Sequence, residues 1–186
     1  MHETEQDIKD FQKLIGTSNH TASPHMKAAM QLPKKALKAE QIIRHLQGIH
    51  TVALAVSTSS GTPQIEMAKA LFYRTKFYVP TIRTALRTRY VTHQPTVSLN
   101  MHRGDDLWLI VNGKAVVINP NDEDEAIREE FRIIDEVHRT FSNDVPADWK
   151  DGVYLRITPF RFFTSVSDPK AYPTFAWRKG QIVNTG

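Results

Sequence analysis

The chain of 186 residues contains no cysteine. That excludes disulfides, thiolate metal ligands and cysteine nucleophiles at once. It also lacks any run approaching the roughly 20 apolar residues of a membrane span. The opening Met1-His2-Glu3-Thr4-Glu5-Gln6-Asp7 is acidic with no apolar stretch behind it, so no secretory signal is expected and the cytoplasm is the expected location. Acidic residues are missing between Glu66 and Asp105, where Lys69, Arg74, Lys76, Arg83, Arg87, Arg89 and Arg103 all fall. One-signed charge in mid-chain suits an anionic ligand or, more plainly, a solvated face. No G-x-S-x-G elbow, P-loop or H-E-x-x-H motif occurs. The histidines are scattered without metal-ligand spacing, so no metal is expected.

What is present is a globular composition, 40% hydrophobic with nine phenylalanines. Ile8, Phe11, Leu14 and Ile15 recur at helical spacing, and Gly16-Thr17-Ser18-Asn19 reads as the stop. Residues 20–35 read as irregular, and 37–47 as a second helix ended by Gly48. Strand-like runs follow at 51–57, 64–73 and 76–79, with a turn at Ser59-Ser60-Gly61 and a stop at Pro80. A helix is expected over 83–93, closed by Gln94-Pro95, then a strand over 96–101. In 107–118, Asn112-Gly113 allows either a two-residue hairpin or a glycine bulge in one long strand. Asn121 is expected to cap an acid-fronted helix running to about Thr140. Strands at 153–158 and 161–167 and an extended piece at 174–183 complete the chain.

Adjacent strands with short turns imply an α+β fold with a mostly antiparallel sheet closed into a barrel. No repeat or low-complexity tract is visible. Residues 1–36 are expected to form an N-terminal helical extension and 37–186 the main domain.

The chemistry concentrates in Phe77-Tyr78-Val79-Pro80-Thr81-Ile82-Arg83-Thr84-Ala85-Leu86-Arg87-Thr88-Arg89-Tyr90. A strand hands over to a helix whose free N–H groups favour an anion, and arginine adds a planar fork for phosphate oxygens. Arg83 and Arg87, four apart, would share one helical face. The alternative is an ordinary basic helix facing solvent.

Thr-x-x-x-(Ser or Thr)-x-Lys/Arg on a short helix after a strand, then proline, strand, strand and glycine, resembles the pyridoxamine 5′-phosphate oxidase-like proteins. The likeness runs from about Gln41 to Ser167. Gly61-Thr62-Pro63-Gln64 resembles that family's first hairpin turn, and Gln94-Pro95-Thr96-Val97-Ser98 its Asn-Pro-x-Val-Ser step. Trp108 to Val111, then Gly113 and Ala115, resemble its long bent strand, which favours the bulge. The resemblance implies a Greek-key split β-barrel of about six to seven strands with flanking helices, binding flavin mononucleotide (FMN) at a homodimer interface. It implies phosphate contacts from Thr81, Arg83 and Arg87. A ring slot would lie near Met67, Ala68 and Lys69, with Trp108 and a partner's Trp177. Those tryptophans have a plainer explanation as core or dimer contacts, and Lys69 as a solvated strand residue.

The chain departs from that pattern at three places. Ala85 stands where a hydroxyl often bonds the phosphate. Glu66 brings a carboxylate to a position usually neutral or basic, where it would repel a phosphate. Phe175-Ala176-Trp177-Arg178 replaces the arginine–histidine signature that holds the pyridoxal product, so vitamin B6 oxidation is not expected. Three functions remain in view. The first is an FMN-dependent oxidoreductase that draws on a nicotinamide or deazaflavin donor for a small-molecule substrate. The second is a non-catalytic flavin or haem module. The weakest is nucleic-acid binding, because Phe72, Tyr73, Phe77 and Tyr78 occupy core-like strand positions. The flavin reading requires an open corner at Thr81 whose guanidinium groups are not turned to carboxylates of the same chain.

Overall fold

A computed structural model of the protein describes residues 2–104, 106–142, 149, 151–172, 175–178 and 181–184, the last two segments as backbone alone. Six antiparallel strands close a barrel in the order β1-β2-β3-β6-β5-β4. They are β1 (Gly48–Ser57), β2 (Pro63–Tyr73), β3 (Lys76–Ile82), β4 (Thr96–Arg103), β5 (Leu107–Ile118) and β6 (Gly152–Val166). Placing β6 beside β3, with β5 and β4 beyond it, is the expected Greek-key return. A separate two-stranded ribbon pairs β7 (Phe175–Arg178) with β8 (Gln181–Asn184) where one extended piece was expected.

The strands alternate as a barrel wall requires. In β1, Val52, Leu54 and Val56 are buried between less buried neighbours, and in β5 the same holds for Leu107, Leu109 and Val111. Their inward side chains join Phe72, Phe77, Leu99, Leu155 and Phe162 in one core. Asn112-Gly113 lies inside β5 at a shift of register, not in a hairpin, and the extra residue of the bulge is Phe160 on β6. Gly113 faces Pro159 there, and a Cβ on it would lie 2.7 Å from the Ile157 side chain and 2.9 Å from the Thr158 carbonyl. Because Pro159 falls at this irregularity, its missing N–H leaves β6 unbroken, so the two strands expected from 153 to 167 are one.

The ladder is uneven. β1 and β2 pair along ten positions, but β1 meets β4 only at Ala53–Ala55, and β2 meets β3 only at Leu71–Tyr73. Beyond Tyr78, β3 therefore has a partner on one edge only, the setting in which a strand tolerates proline. Pro80 does not end the strand as expected; β3 continues to Ile82, paired with β6 throughout.

Helices cover the barrel. α1 (Glu5–Thr21) opens on a capping box between Thr4 and Asp7 and buries Ile8, Phe11 and Ile15 in the core. It passes through Gly16, the expected stop. Ser18 explains this: its hydroxyl accepts from the Phe162 N–H at 3.0 Å and donates to the Leu14 carbonyl, which docks another turn on β6. A short α2 (Pro24–Ala29), capped by Ser23, occupies the stretch expected to be irregular, and α3 (Ala39–His45) follows. α4 (Leu86–His93) starts later than expected, so Arg83 precedes it and does not share a helical face with Arg87. α5 (Glu125–Phe141) is capped by Asp124 rather than Asn121. It lays Ile127, Phe131, Ile134 and Val137 against Leu71, Tyr78, Ile118 and Tyr154 on the outside of the barrel.

Candidate functional site

Where β2 and β3 part company, the gap becomes a cavity of about 590 Å³. Lys69 of β2, Pro80, Thr81 and Ile82 of β3, and Ala85 and Arg87 at the start of α4 line one part. Ile49 of β1, His138, Phe141 and Ser142 at the end of α5, and Trp149 complete the wall. This volume lies in the range of pockets for cofactor-sized molecules, roughly 300–1,000 Å³.

Thr81 is buried, and its hydroxyl has no hydrogen-bond partner among the described residues. Such a group costs about 1–3 kcal/mol unless something answers it. Beside it, the first turn of α4 has no side-chain cap and leaves N–H groups unpaired within the helix. Thr88 anchors that turn by donating from its hydroxyl to the Ile82 carbonyl at 2.9 Å. Arg87 reaches back over the gap to β2, and its Nη1 lies 2.9 Å from Glu66 Oε1. Glu66 Oε1 is buried and accepts no well-directed hydrogen bond, so the contact is an ion pair of imperfect geometry. Lys69 Nζ donates to the Thr51 hydroxyl at 3.3 Å on the opposite, outward face of β2.

The α5 wall carries a second polar chain. His138 is buried and its Nδ1 lies 2.8 Å from the Tyr154 hydroxyl, which donates to Asp135 Oδ1 at 3.3 Å. Arg139 holds that carboxylate at 2.8 Å. Burial, then the negative Asp135, pushes the Tyr154 hydroxyl above its ordinary value, so it stays protonated and directs its hydrogen to Asp135. The His138 ring is thereby fixed in orientation on the cavity wall. Trp149 closes over Gly152, where a Cβ would fall 2.0 Å from the indole.

The expected residues divide clearly. Thr81, Arg87 and Lys69 line one cavity together. Arg83 is exposed outside its lining, and its backbone N–H is taken by the Asp151 carbonyl at 2.9 Å. Met67 is exposed beside Lys69, while Ala68 points the opposite way, into the barrel core. Trp108 is not at this cavity. It stands half-exposed against His102 and borders a second hollow with Ala29, Gln31 and Lys35. The side chain of Trp177 lies outside the described residues. The corner is open, as the flavin reading required, but Arg87 is turned to Glu66 of its own chain, so the second requirement of that reading is not met at Arg87. Sequence reasoning missed Ile49, Phe141, Ser142 and Trp149 as wall residues. It expected the helix that ends there, with no signal that the end of α5 meets β3.

No known family profile matches the chain, and no curated protein matches it. Solved structures do. An F420 reductase aligns at TM-score 0.50 with 18% identity, over 63% of this chain and 91% of its own. General Stress Protein 26 from Bacillus anthracis aligns at TM-score 0.50 with 19% identity, over 68% and 92%. A protein provisionally assigned as a pyridoxamine 5′-phosphate oxidase from Corynebacterium glutamicum aligns at TM-score 0.50 with 14% identity, over 69% and 94%. The fold is the pyridoxamine 5′-phosphate oxidase-like split barrel. At these identities the likeness speaks for the fold alone. In this split barrel the parting of β2 from β3 makes the cavity. Among the described residues no helix is long and apolar enough to cross a membrane, and no cluster of three metal-ligating side chains occurs.

Proposed function

We propose that this protein binds a flavin, FMN in the first instance, in the cavity between β2, β3 and the end of α5, and that it is an oxidoreductase acting on a small molecule. The observation that carries the reading is the buried, unanswered Thr81 hydroxyl beside Arg87 and the uncapped start of α4. A phosphate oxygen would satisfy that hydroxyl, and the arginine fork and N–H groups would favour its charge. Ile49, Pro80, Phe141 and Trp149 offer the apolar surface a ring system needs. A bound flavin supplies the electron chemistry, while the chain binds, orients and excludes water. Lys69 would hold positive charge on that wall, and His138 would present a ring fixed by Tyr154.

A homodimer is part of this reading. Ile65 and Met67 on β2, with Ile82 and Leu86 near the cavity mouth, are apolar and exposed. Such a group suits coverage by a second copy of the chain that completes the slot. A deazaflavin in the same cavity is the second reading, favoured by the match in fold to the F420 reductase.

Titration with FMN and riboflavin, followed by quenching of flavin fluorescence, tests the site. Arg87→Ala should weaken FMN about tenfold or more and riboflavin little, because only FMN carries the phosphate. Equal weakening of both ligands would remove Arg87 from the phosphate role. The absorption spectrum of the protein as purified separates flavin from haem, whose Soret band is distinct.

A further inference from the structure

We infer that Glu66 is a specificity-determining residue that discriminates against a dianionic phosphate monoester at this cavity. The inference rests on the proposed flavin site and asks which flavin it takes. Two cationic side chains line the cavity, Lys69 and Arg87, and the carboxylate of Glu66 lies 2.9 Å from the second. Lys69 leaves β2 on the face opposite Glu66, so at the phosphate end the Arg87–Glu66 pair sums to a formal charge of zero. A phosphate monoester carries about −1.5 to −2 near neutral pH, whereas a phosphodiester carries one negative charge and a free ribityl hydroxyl none.

The balance is not easily escaped, because Glu66 and a ligand phosphate would compete for one guanidinium. Glu66 Oε1 is buried and accepts no hydrogen bond that could take over from Arg87. Turning Arg87 wholly to a phosphate would strand that carboxylate, and a half-buried charge without its partner is costly. Leaving Arg87 on Glu66 lets the phosphate see a nearly neutral pair. Neither Arg83, exposed outside the lining, nor Lys69, bonded to Thr51, sits where it would cancel Glu66. The α5 wall offers no compensation either, since Arg139 is committed to Asp135. Glu66 therefore narrows the advantage that its phosphate gives FMN over riboflavin at this cavity.

Affinities of FMN and riboflavin for the full chain, Glu66→Gln and Glu66→Asp test this, with thermal melts to confirm folding. In the unaltered protein FMN should exceed riboflavin by less than about tenfold. Glu66→Gln should raise that ratio about tenfold or more by tightening FMN alone, the scale of one charge removed beside a partly buried phosphate. Glu66→Asp keeps the charge and should leave the ratio within about threefold of the original. Glu66→Ala provides the same comparison if the glutamine variant does not fold. A ratio unmoved by Glu66→Gln, with both flavins still binding, overturns the role of Glu66 and leaves the flavin site standing. Failure of every variant to bind either flavin overturns the site itself, and this inference with it.

Discussion

Two corners of the barrel each join an arginine to a carboxylate, and they are built to opposite ends. At the foot of β4, Arg103 Nη2 lies 3.1 Å from the Tyr172 hydroxyl and 3.4 Å from Asp106. Tyr172 donates its own hydrogen to Asp106, and Ser167 donates to the same carboxylate at 2.9 Å. Gln41 on α3 binds the Tyr172 and Pro169 carbonyls at 2.6 and 2.9 Å, and His45 stands edge-on to the tyrosine ring. Apart from His45 Nε2, the polar atoms here answer one another. At the Thr81 corner a hydroxyl is buried unanswered and one ion pair is left poorly directed. A satisfied network rigidifies, whereas an unsatisfied one stores cost that a ligand can relieve. The first corner is a latch on the C-terminal turn, and the second is a candidate site.

The sharpest way to break this comparison is to remove the latch. Tyr172→Ala should cost about 3–5 kcal/mol in denaturant unfolding, as loss of a buried aromatic does, while the ratio of FMN to riboflavin affinity should not move. A smaller effect comes from pH. Burial first, then the bond to Asp106, holds the Tyr172 hydroxyl above its ordinary value of 10.0. A raised folded-state value means this contribution is complete below the unfolded value and is lost as pH climbs through the folded one. Melting midpoints should therefore fall at alkaline pH, and Tyr172→Phe should show a shallower fall; an identical slope would deny the latch its hydroxyl. Tyr73, Tyr78 and Tyr154, raised by burial first in the same way, add to the slope. The smallest shift is at the other corner. Thr81→Val replaces an unanswered hydroxyl with a methyl group and should leave stability unchanged or raise it by up to about 1 kcal/mol, yet weaken FMN. Stability lost instead would show that the hydroxyl already has a partner.

The barrel was legible because its walls alternate with period two and because Gly113 marked a bulge, whereas Pro159 at the same step made one strand read as two. The helix boundaries were less so. α1 outruns Gly16 because Ser18 finds Phe162, a partner far along the chain. β3 outruns Pro80 because β2 has left its edge, and that extension in turn removes Arg83 from the helix. At the site, Thr81, Lys69 and Arg87 could be named from a local strand-to-helix pattern. Glu66 stood out as a misfit, but its pairing with Arg87 depends on how two elements cross. The α5 wall was hidden for the same reason: a helical stripe tells which side is buried, not which strand it meets.

The β1–β2 ribbon is zipped internally along ten positions and stitched to its neighbours by three on each side. A panel so fastened lifts at lower free energy than the β5–β6 wall opposite, and amide protons along both stitches should exchange with solvent before those of β6. Since this panel carries Lys69 into the cavity wall and Glu66 to Arg87, a lift of the ribbon would widen the cavity at its mouth.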